Sequence, residues 1–224
     1  SAFGQGSLAN NTTASNNTAV GYQAAYSTTT DGENTAVGSQ AFYSNTTGNR
    51  NVALGREALY SNTTADGNTA VGFEAALNNT TAELNSALGF NALRTNTTGG
   101  TNVALGASAL YSNTTASNNT AVGYQALYDN TTGYNNTSLG YQSLDSTTTG
   151  IDNTAAGMQA GYTNTTGSFN VYIGDHAGYY ATGTRNTFLG HGSGESITSG
   201  ERNTIIGRYN GNFGGLDIRT SSNN

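Results

Sequence analysis

A seventeen-residue repeat constrains the fold of this chain more than any other feature of its sequence. Asn opens successive units at intervals of seventeen residues, with one interval of sixteen between Asn170 and Asn186. A unit this short buries its apolar side chains only against its neighbours, which is typical of solenoids. We therefore predict one repeat domain over residues 1–212 and a tail without the repeat over 213–224. After the first unit, the units begin at Asn17, Asn34, Asn51, Asn68, Asn85, Asn102, Asn119, Asn136, Asn153, Asn170, Asn186 and Asn203.

The consensus N-T-A-[VL]-G-x-Q-A-L-Y-S-N-T-T-G-x-x predicts an all-β fold, a parallel β-solenoid of about thirteen coils. Helix-pair repeats need more than about thirty residues. The segment T-A-V-G reads as a short strand, with positions 2 and 4 on one face and position 3 on the other. For x-Q-A-L-Y we favour a second strand over a single helical turn.

Two positions of the repeat predict structural ladders along the solenoid. Gly at position 5 of every unit indicates a positive φ or the close approach of another chain. Asn at position 1 tolerates a left-handed backbone at a coil corner and can stack into an amide ladder. The ladder residues of the first complete units are Asn17, Asn34, Asn51 and Asn68, and Gly21, Gly38, Gly55 and Gly72.

Position 3 indicates self-association. It is a small residue in the early units and becomes Tyr172, Phe188 and Ile205 near the end, while position 4 is apolar throughout. A strand that is apolar on one face and small on the other can pack closely against a second chain. We expect an oligomer, a trimer in the first instance, with position 3 at the contact.

Composition excludes several classes of site and partner. Without Cys there is no disulfide framework, thiolate zinc site or thiol nucleophile. A net charge of −6 without any Lys argues against nucleic acid, and no apolar run approaches the ~20 residues that span a bilayer. The acidic residues fall at unlike repeat positions, which argues against repeated calcium turns. We expect no cofactor, no metal and no membrane insertion.

Catalysis has one weak candidate cluster. His176 and His191 lie in adjacent units, with Asp175 beside the first and Glu195 near the second. Solvated loop residues are the favoured interpretation over a metal or acid–base site. We predict that the chain is not an enzyme.

Recurrent Tyr and Thr side chains suggest two surfaces. Tyr at position 10 forms a ladder whose favoured role is structural stacking, with a glycan platform as the alternative. Thr at position 14 forms a stacking ladder in preference to an ice-binding array. The N-x-T triplets that begin at position 12, such as Asn45 and Asn62, are glycan acceptors in a eukaryotic secretory protein and otherwise a turn motif. The glycan-platform residues are Tyr26, Tyr43, Tyr60, Tyr111 and Tyr128.

Units such as N-T-A-V-G-Y-Q-A-L-Y-x-N-T-T-G resemble repeats of bacteriophage tail fibres and, more distantly, the head repeats of trimeric autotransporter adhesins. The best copies are 17–21, 119–123 and 203–207. The resemblance implies a left-handed β-roll, commonly trimeric, on a virion or cell surface. The period of seventeen departs from the usual fourteen, so a head-to-tail filament of single solenoids stays open.

These observations predict a non-enzymatic structural fibre protein, located outside the cell, on a cell surface or on a virion. It forms a rigid shaft or head, or a self-assembling filament, with a role in surface adhesion. Its partners are further copies of itself and cell-surface glycans. A glycan-binding or ice-binding solenoid module is the alternative.

The two ends of the repeat domain differ. Ser1 enters the repeat inside a strand, and an open strand edge invites pairing with another chain. We expect upstream chain or another subunit to continue that edge. The altered final units are expected to form a tip or a junction.

Overall fold

The computed structural model describes residues 1–30, 32–208, 210, 212–213 and 216–217. They fall into two compact units, Ser1–Thr115 and Ala116–Asn224. No helix occurs among the described residues, and each unit is a parallel β-solenoid with one strand per coil. The two units together have about twelve turns with a spacing of about seventeen residues. The predicted fold class is confirmed, while the oligomeric state stays a prediction.

Each strand occupies positions 2 to 4 of its coil, and neighbouring strands within a unit pair in parallel. Ala19 of one strand lies opposite Ala36 of the next, so the register is one complete repeat. The strands of the first unit are β1 Ala2–Phe3, β2 Thr18–Val20, β3 Thr35–Val37, β4 Val52–Leu54, β5 Thr69–Val71, β6 Ser86–Leu88 and β7 Val103–Leu105. Those of the second unit are β8 Thr120–Val122, β9 Thr137–Leu139, β10 Thr154–Ala156, β11 Val171–Ile173, β12 Thr187–Leu189 and β13 Thr204–Ile206.

A separate antiparallel pair follows β13. It joins β14, Asn212–Phe213, to β15, Leu216–Asp217. Most of the predicted tail, 213–224, lies outside the described residues.

The small residues at position 3 line the core of each coil. Ala19 is 0% exposed, whereas Val20 at position 4 is 38% exposed. As predicted, position 3 lies on one face of the strand and positions 2 and 4 lie on the other. The face that points into the core, however, is that of position 3 and not that of positions 2 and 4. Position 3 is not an intermolecular contact, because its side chain already packs inside its own coil beside the buried position 8 and position 9 residues, such as Ala24 and Ala25.

Bulky residues at position 3 are compensated by glycines at position 9. A Cβ placed on Gly161 or Gly178 would lie 2.5 Å from the ring of Tyr172. One placed on Gly194 would lie 2.6 Å from the ring of Phe188. The core is narrow, so a large side chain on one wall requires the removal of one from the facing wall.

The predicted second strand over x-Q-A-L-Y is wrong, because this segment is a series of turns. Positions 7 and 9 adopt left-handed φ even without glycine, as Gln40 at 56° and Phe42 at 56° show. A left-handed residue turns its peptide groups toward the neighbouring coils. The N–H of Gln40 donates to the carbonyl of Tyr22 at 2.8 Å, and that of Phe42 donates to Ala58 at 2.9 Å. These bonds between coils offset a cost of about 1–2 kcal/mol for each left-handed residue.

The invariant glycine is required for both predicted reasons. Gly21 has a φ of 132°, and a Cβ on it would lie 2.5 Å from the carbonyl oxygen of Gly38 in the next coil. Any other residue at position 5 would force adjacent coils apart. The same holds for the equivalent Gly38, Gly55 and Gly72, which all have positive φ.

The predicted Asn ladder at position 1 exists and is fully buried. The amide oxygen of Asn51 accepts from the backbone N–H of Asn68 at 2.8 Å. Its Nδ2 donates to the carbonyl of Ala65 at 2.8 Å, and its own N–H donates to Oδ1 of Asn34 at 2.9 Å. Backbone groups, more than amide–amide bonds, therefore hold this ladder together.

A second Asn ladder runs through position 12 and was not predicted. Nδ2 of Asn62 donates to Oδ1 of Asn45 at 3.0 Å, and Nδ2 of Asn79 donates to Oδ1 of Asn62 at 3.1 Å. Asn45 also closes its own turn, since Gly48 donates to its Oδ1 at 3.1 Å. The N-x-T triplets are thus turn motifs whose Asn side chains are inside the coil.

We predict that Asn62→Ala destabilises the protein by about 3 kcal/mol or more, because partners in three coils lose a buried hydrogen bond. The matched control, Thr64→Ala, alters an exposed side chain two residues away and should cost less than about 0.5 kcal/mol. Urea unfolding followed by circular dichroism measures both. Equal effects of the two substitutions would contradict the buried ladder.

Tyr172 and Gly178 are predicted to be energetically coupled. Gly178→Leu should cost about 2–3 kcal/mol through overpacking, although Leu110 occupies the same repeat position at a φ of 51°. Tyr172→Ala should cost about 3–5 kcal/mol through the cavity it leaves. The double variant should be more stable than the sum of the two losses by over about 1 kcal/mol in a thermal-unfolding cycle. Simple additivity would refute the coupling.

Candidate functional site

The Tyr ladder at position 10 presents ring edges outward. The rings of Tyr26 and Tyr43 lie 5.2 Å apart at an angle of 8°, and those of Tyr43 and Tyr60 lie 5.1 Å apart at 4°. In such a stack the face of each ring packs against the neighbouring ring. A bound sugar would have to pack against the same face, which is already covered. The geometry favours the structural role of these residues. Glycan binding stays a prediction for them and for Tyr111 and Tyr128, which are half-buried.

Asp145 takes the place of a tyrosine in this ladder within the second unit. It is 9% exposed, and its Oδ1 has no hydrogen-bond partner. Burial, and to a smaller extent the charge of Asp129 in the preceding coil, raise the pKa of Asp145 to about 6. Asp145 in turn is the main cause of a raised pKa for Tyr162. The sequence predicted only scattered carboxylates and missed this pair, because Asp129 and Asp145 occupy different repeat positions.

The two histidines are brought together by one carboxylate. Oδ1 of Asp175 lies 2.7 Å from Nδ1 of His176, and Oδ2 lies 3.3 Å from Nε2 of His191. The ring of His176 also stacks on Tyr179, with centroids 5.2 Å apart. Asp175 therefore acts as a bridge between two coils, and the interpretation of both histidines as solvated loop residues was incomplete.

This bridge has few features of a catalytic or metal centre. Glu195 and His191 line an open depression of about 490 Å³, but within the described residues no Ser or Thr hydroxyl is bonded to either imidazole, whose polar partner is Asp175. Across the described part of the chain, no group of three or more His, Asp and Glu side chains is placed to hold a metal ion. The prediction that the chain is not an enzyme stays a prediction.

The position 14 threonines form a row on the surface. The preceding Thr at position 13 is tied down, since Oγ1 of Thr46 donates to the carbonyl of Thr63 at 3.1 Å. The position 14 side chains are exposed in each coil that has one, at regular intervals of one coil. They are Thr13, Thr30, Thr47, Thr64, Thr81, Thr98 and Thr115 in the first unit, and Thr132, Thr149 and Thr166 in the second.

Positions 2 and 4 form the outer face of the strands, although position 3 was predicted to be the outer one. Fifteen of the nineteen exposed large apolar side chains in the described residues occupy position 2, 4 or 6, and nine of these occupy position 4. The signal was present, because position 4 is apolar in every unit, but it was interpreted as pointing inward. We call positions 2 and 4 of β1–β13 the outer strand face. It carries no charged residue in any coil.

The buried carboxyl group of Asp145 predicts a pH-dependent stability. The pKa of Asp145 in the folded protein, about 6, lies above the ordinary value of 3.8. Asp145 therefore does not destabilise the folded state below about pH 4, and it destabilises that state increasingly as the pH rises from 4 to about 6. Asp145→Asn should stabilise the protein by about 1–3 kcal/mol at pH 7 and by almost nothing at pH 4.

Urea unfolding of both proteins between pH 4 and pH 8 measures this difference. Glu83→Gln, which alters an exposed side chain, is the control and should shift stability by a small amount without the step near pH 6. A stability difference between wild type and Asp145→Asn that is the same at every pH would refute the buried ionised carboxylate.

Comparisons with protein-family models, with curated proteins and with solved structures each find no match to this chain. The described residues contain no helix that is long and apolar enough to cross a membrane. Function must therefore be argued from the geometry of the two units themselves.

Proposed function

We propose that this protein is a non-enzymatic structural fibre element that acts outside the cell, on a cell surface or on a virion. Its two solenoid units serve as stiff segments of a shaft or head that supports surface adhesion. The observation that carries the proposal is the pair of buried Asn ladders, which fasten each coil to the next through side-chain amides.

The hydrogen bonding between coils supports stiffness. Backbone N–H groups of the strand, of positions 7 and 9 and of position 11 all donate to an adjacent coil, as Thr35, Gln40 and Ser44 illustrate. A bending motion would stretch several of these bonds at once. Local opening is costly for the same reason, since an opened coil leaves buried amides unpaired.

The charge pattern also fits a fibre element. Only 9% of the residues are charged, and most ion pairs of the described residues lie at the surface, as Arg50 with Asp66 shows, while Arg94 with Glu74 is partly buried. Exposed pairs of this type contribute about 0–1 kcal/mol each. Stability then rests on buried amides and close packing, which salt screens little.

Native-state hydrogen exchange and proteinase K digestion test the proposal together. Strand and turn N–H groups should exchange only through global unfolding, and cleavage should be slow at every loop. Trypsin is a poor probe, since the chain has seven Arg and Lys residues in total. Fast cleavage after positions 10–17 in a protein whose circular dichroism is unchanged would contradict stiff coils.

Electron microscopy supplies the second readout. The purified chain is expected to form straight rods or filaments as its concentration rises. Rounded particles of one size at all concentrations would exclude a self-assembling filament, whereas the resistance to proteolysis tests the stiff segment of a shaft or head separately. A glycan array then tests adhesion, with Tyr43→Ala as the variant that removes one ring from the ladder.

Ice binding is the second candidate, and the exposed Thr row at position 14 is the observation that favours it. The row offers a methyl and a hydroxyl group at each coil, at a constant spacing within each unit. Thermal hysteresis of the wild type measures this activity, and Thr64→Lys should abolish most of it. The absence of hysteresis at millimolar protein would eliminate the candidate.

A further inference from the structure

We infer that the outer strand face of each unit is an interface with the same face of a second copy of this chain. The inference rests on the proposed fibre role and specifies the partner and the contact surface. It replaces position 3, which is buried within the coil, by positions 2 and 4.

The outer strand face exposes large apolar side chains in both units. Leu88 and Leu105 in the first unit are 46% and 40% exposed, and Leu139 and Leu189 in the second are 41% and 43% exposed. Single exposed apolar residues are ordinary in soluble proteins, but a contiguous ladder of them marks an interaction surface. Strand pairing places the position 4 side chains of neighbouring strands one coil apart within β1–β7 and within β8–β13, and Ala156 is the one small side chain in these rows.

The distribution of charge over the surface selects another copy of this chain as the partner. The chain has a net charge of −6, so most surfaces of two copies repel each other. Carboxylates such as Glu57, Asp66 and Glu83 occupy positions outside the strands, while positions 2 and 4 carry Thr, Ser, Val, Leu, Ile, Phe and Ala only. The outer strand face is where two copies meet without bringing like charges together.

The outer strand faces of two copies also have the same periodicity. A ladder that repeats at every coil forms ridges and grooves with the spacing of neighbouring strands, about 4.8 Å. An identical ladder has the same spacing, so its side chains can interdigitate along the whole row, as the inner faces of packed sheets do. A partner with any other period would match only a few coils.

The area of the outer strand face in each unit sets how strong a contact with a second copy it can support. Three-residue strands give a width of about 10 Å, so β1–β7 offer about 340 Å² and β8–β13 about 290 Å². Half-exposed aromatic residues at position 6, among them Tyr22, Phe90 and Tyr141, adjoin these strands and widen part of each face, whereas Arg56 and Asp175 occupy position 6 in other coils. Each of these faces, paired with its equivalent in a second copy, therefore buries about 600–700 Å² in total from the strands alone, and more where position 6 contributes, which fits a weak interface.

The inference is tested by introducing positive charges either on the outer strand face or, as a control, at equally exposed positions elsewhere in each unit. Leu88→Arg with Leu139→Arg puts one cation on the outer strand face of each unit. The control, Thr98→Arg with Thr149→Arg, makes the same charge change at exposed position 14. Sedimentation velocity from about 1 to 100 µM reports association, and circular dichroism with urea unfolding reports the fold.

The wild type and the control are expected to associate, and the variant is expected to sediment as a monomer with unchanged circular dichroism. Its dissociation constant should rise at least about 100-fold, as for an unpaired charge buried in an interface. Should the variant lose its fold, Leu88→Ser with Leu139→Ser removes apolar area without adding charge and should still weaken association.

Three results would overturn the inference. A wild type that is monomeric at 100 µM, a folded variant that still associates, or a control that dissociates as the variant does would each exclude this face. A monomer that nevertheless resists proteinase K and shows protected amides would leave the proposed fibre role standing. A chain that associates through this face but is cleaved rapidly would instead refute the stiff segment.

Discussion

Hydrogen bonding from coil to coil, completed by buried Asn amides, is the interaction on which the rest of this structure depends. The core itself is thin, since Ala19, Ala24 and their equivalents fill most of it. Burying an alanine methyl contributes only about 0.8 kcal/mol, so a coil of this size gains little from apolar burial. Its polar backbone must therefore be almost completely paired, and the amides at positions 1 and 12 pair the groups at the corners that strands leave free.

That requirement explains the unusual backbone. A strand pairs its peptide groups with neighbours only over positions 2 to 4, yet the rest of the coil must pair as well. Alternating left-handed residues at positions 7 and 9 turn those peptide groups along the solenoid axis, where the next coil receives them. The local cost at Gln40 or Phe42 is accepted because every coil would otherwise bury unpaired N–H groups, each costing about 1–3 kcal/mol.

The sequence predicted the period, the strand positions and the Asn and Gly ladders, because each follows from a nearly exact repeat. It did not predict the turns, since Gln, Ala and Leu have no intrinsic preference for positive φ and are held there only by neighbouring coils. Nor did it predict which strand face is inner, because alanine fits a narrow core as well as a close contact between chains. Covariation between repeat positions was the signal that identifies the inner face. Tyr172 and Phe188 appear at position 3 in the same units in which Gly178 and Gly194 appear at position 9. Such a compensation of side-chain volume is needed only between residues that face each other in the core.

An inner face made of alanine has a consequence for the outer one. A strand three residues long has one inward and two outward side chains, so large apolar residues that the core cannot accommodate must occupy positions 2 and 4 or be absent. Large apolar residues occupy position 4 in every coil except that of Ala156. The fold does not require them there, because a polar β-branched residue such as Thr18 occupies the equivalent outward place at position 2. The apolar row at position 4 is not part of the core, and this acidic chain has no charged residue in it. Contact with a surface that has the same periodicity best explains such a row. Among the surfaces available to this protein, its own outer strand face meets that condition in period, polarity and charge.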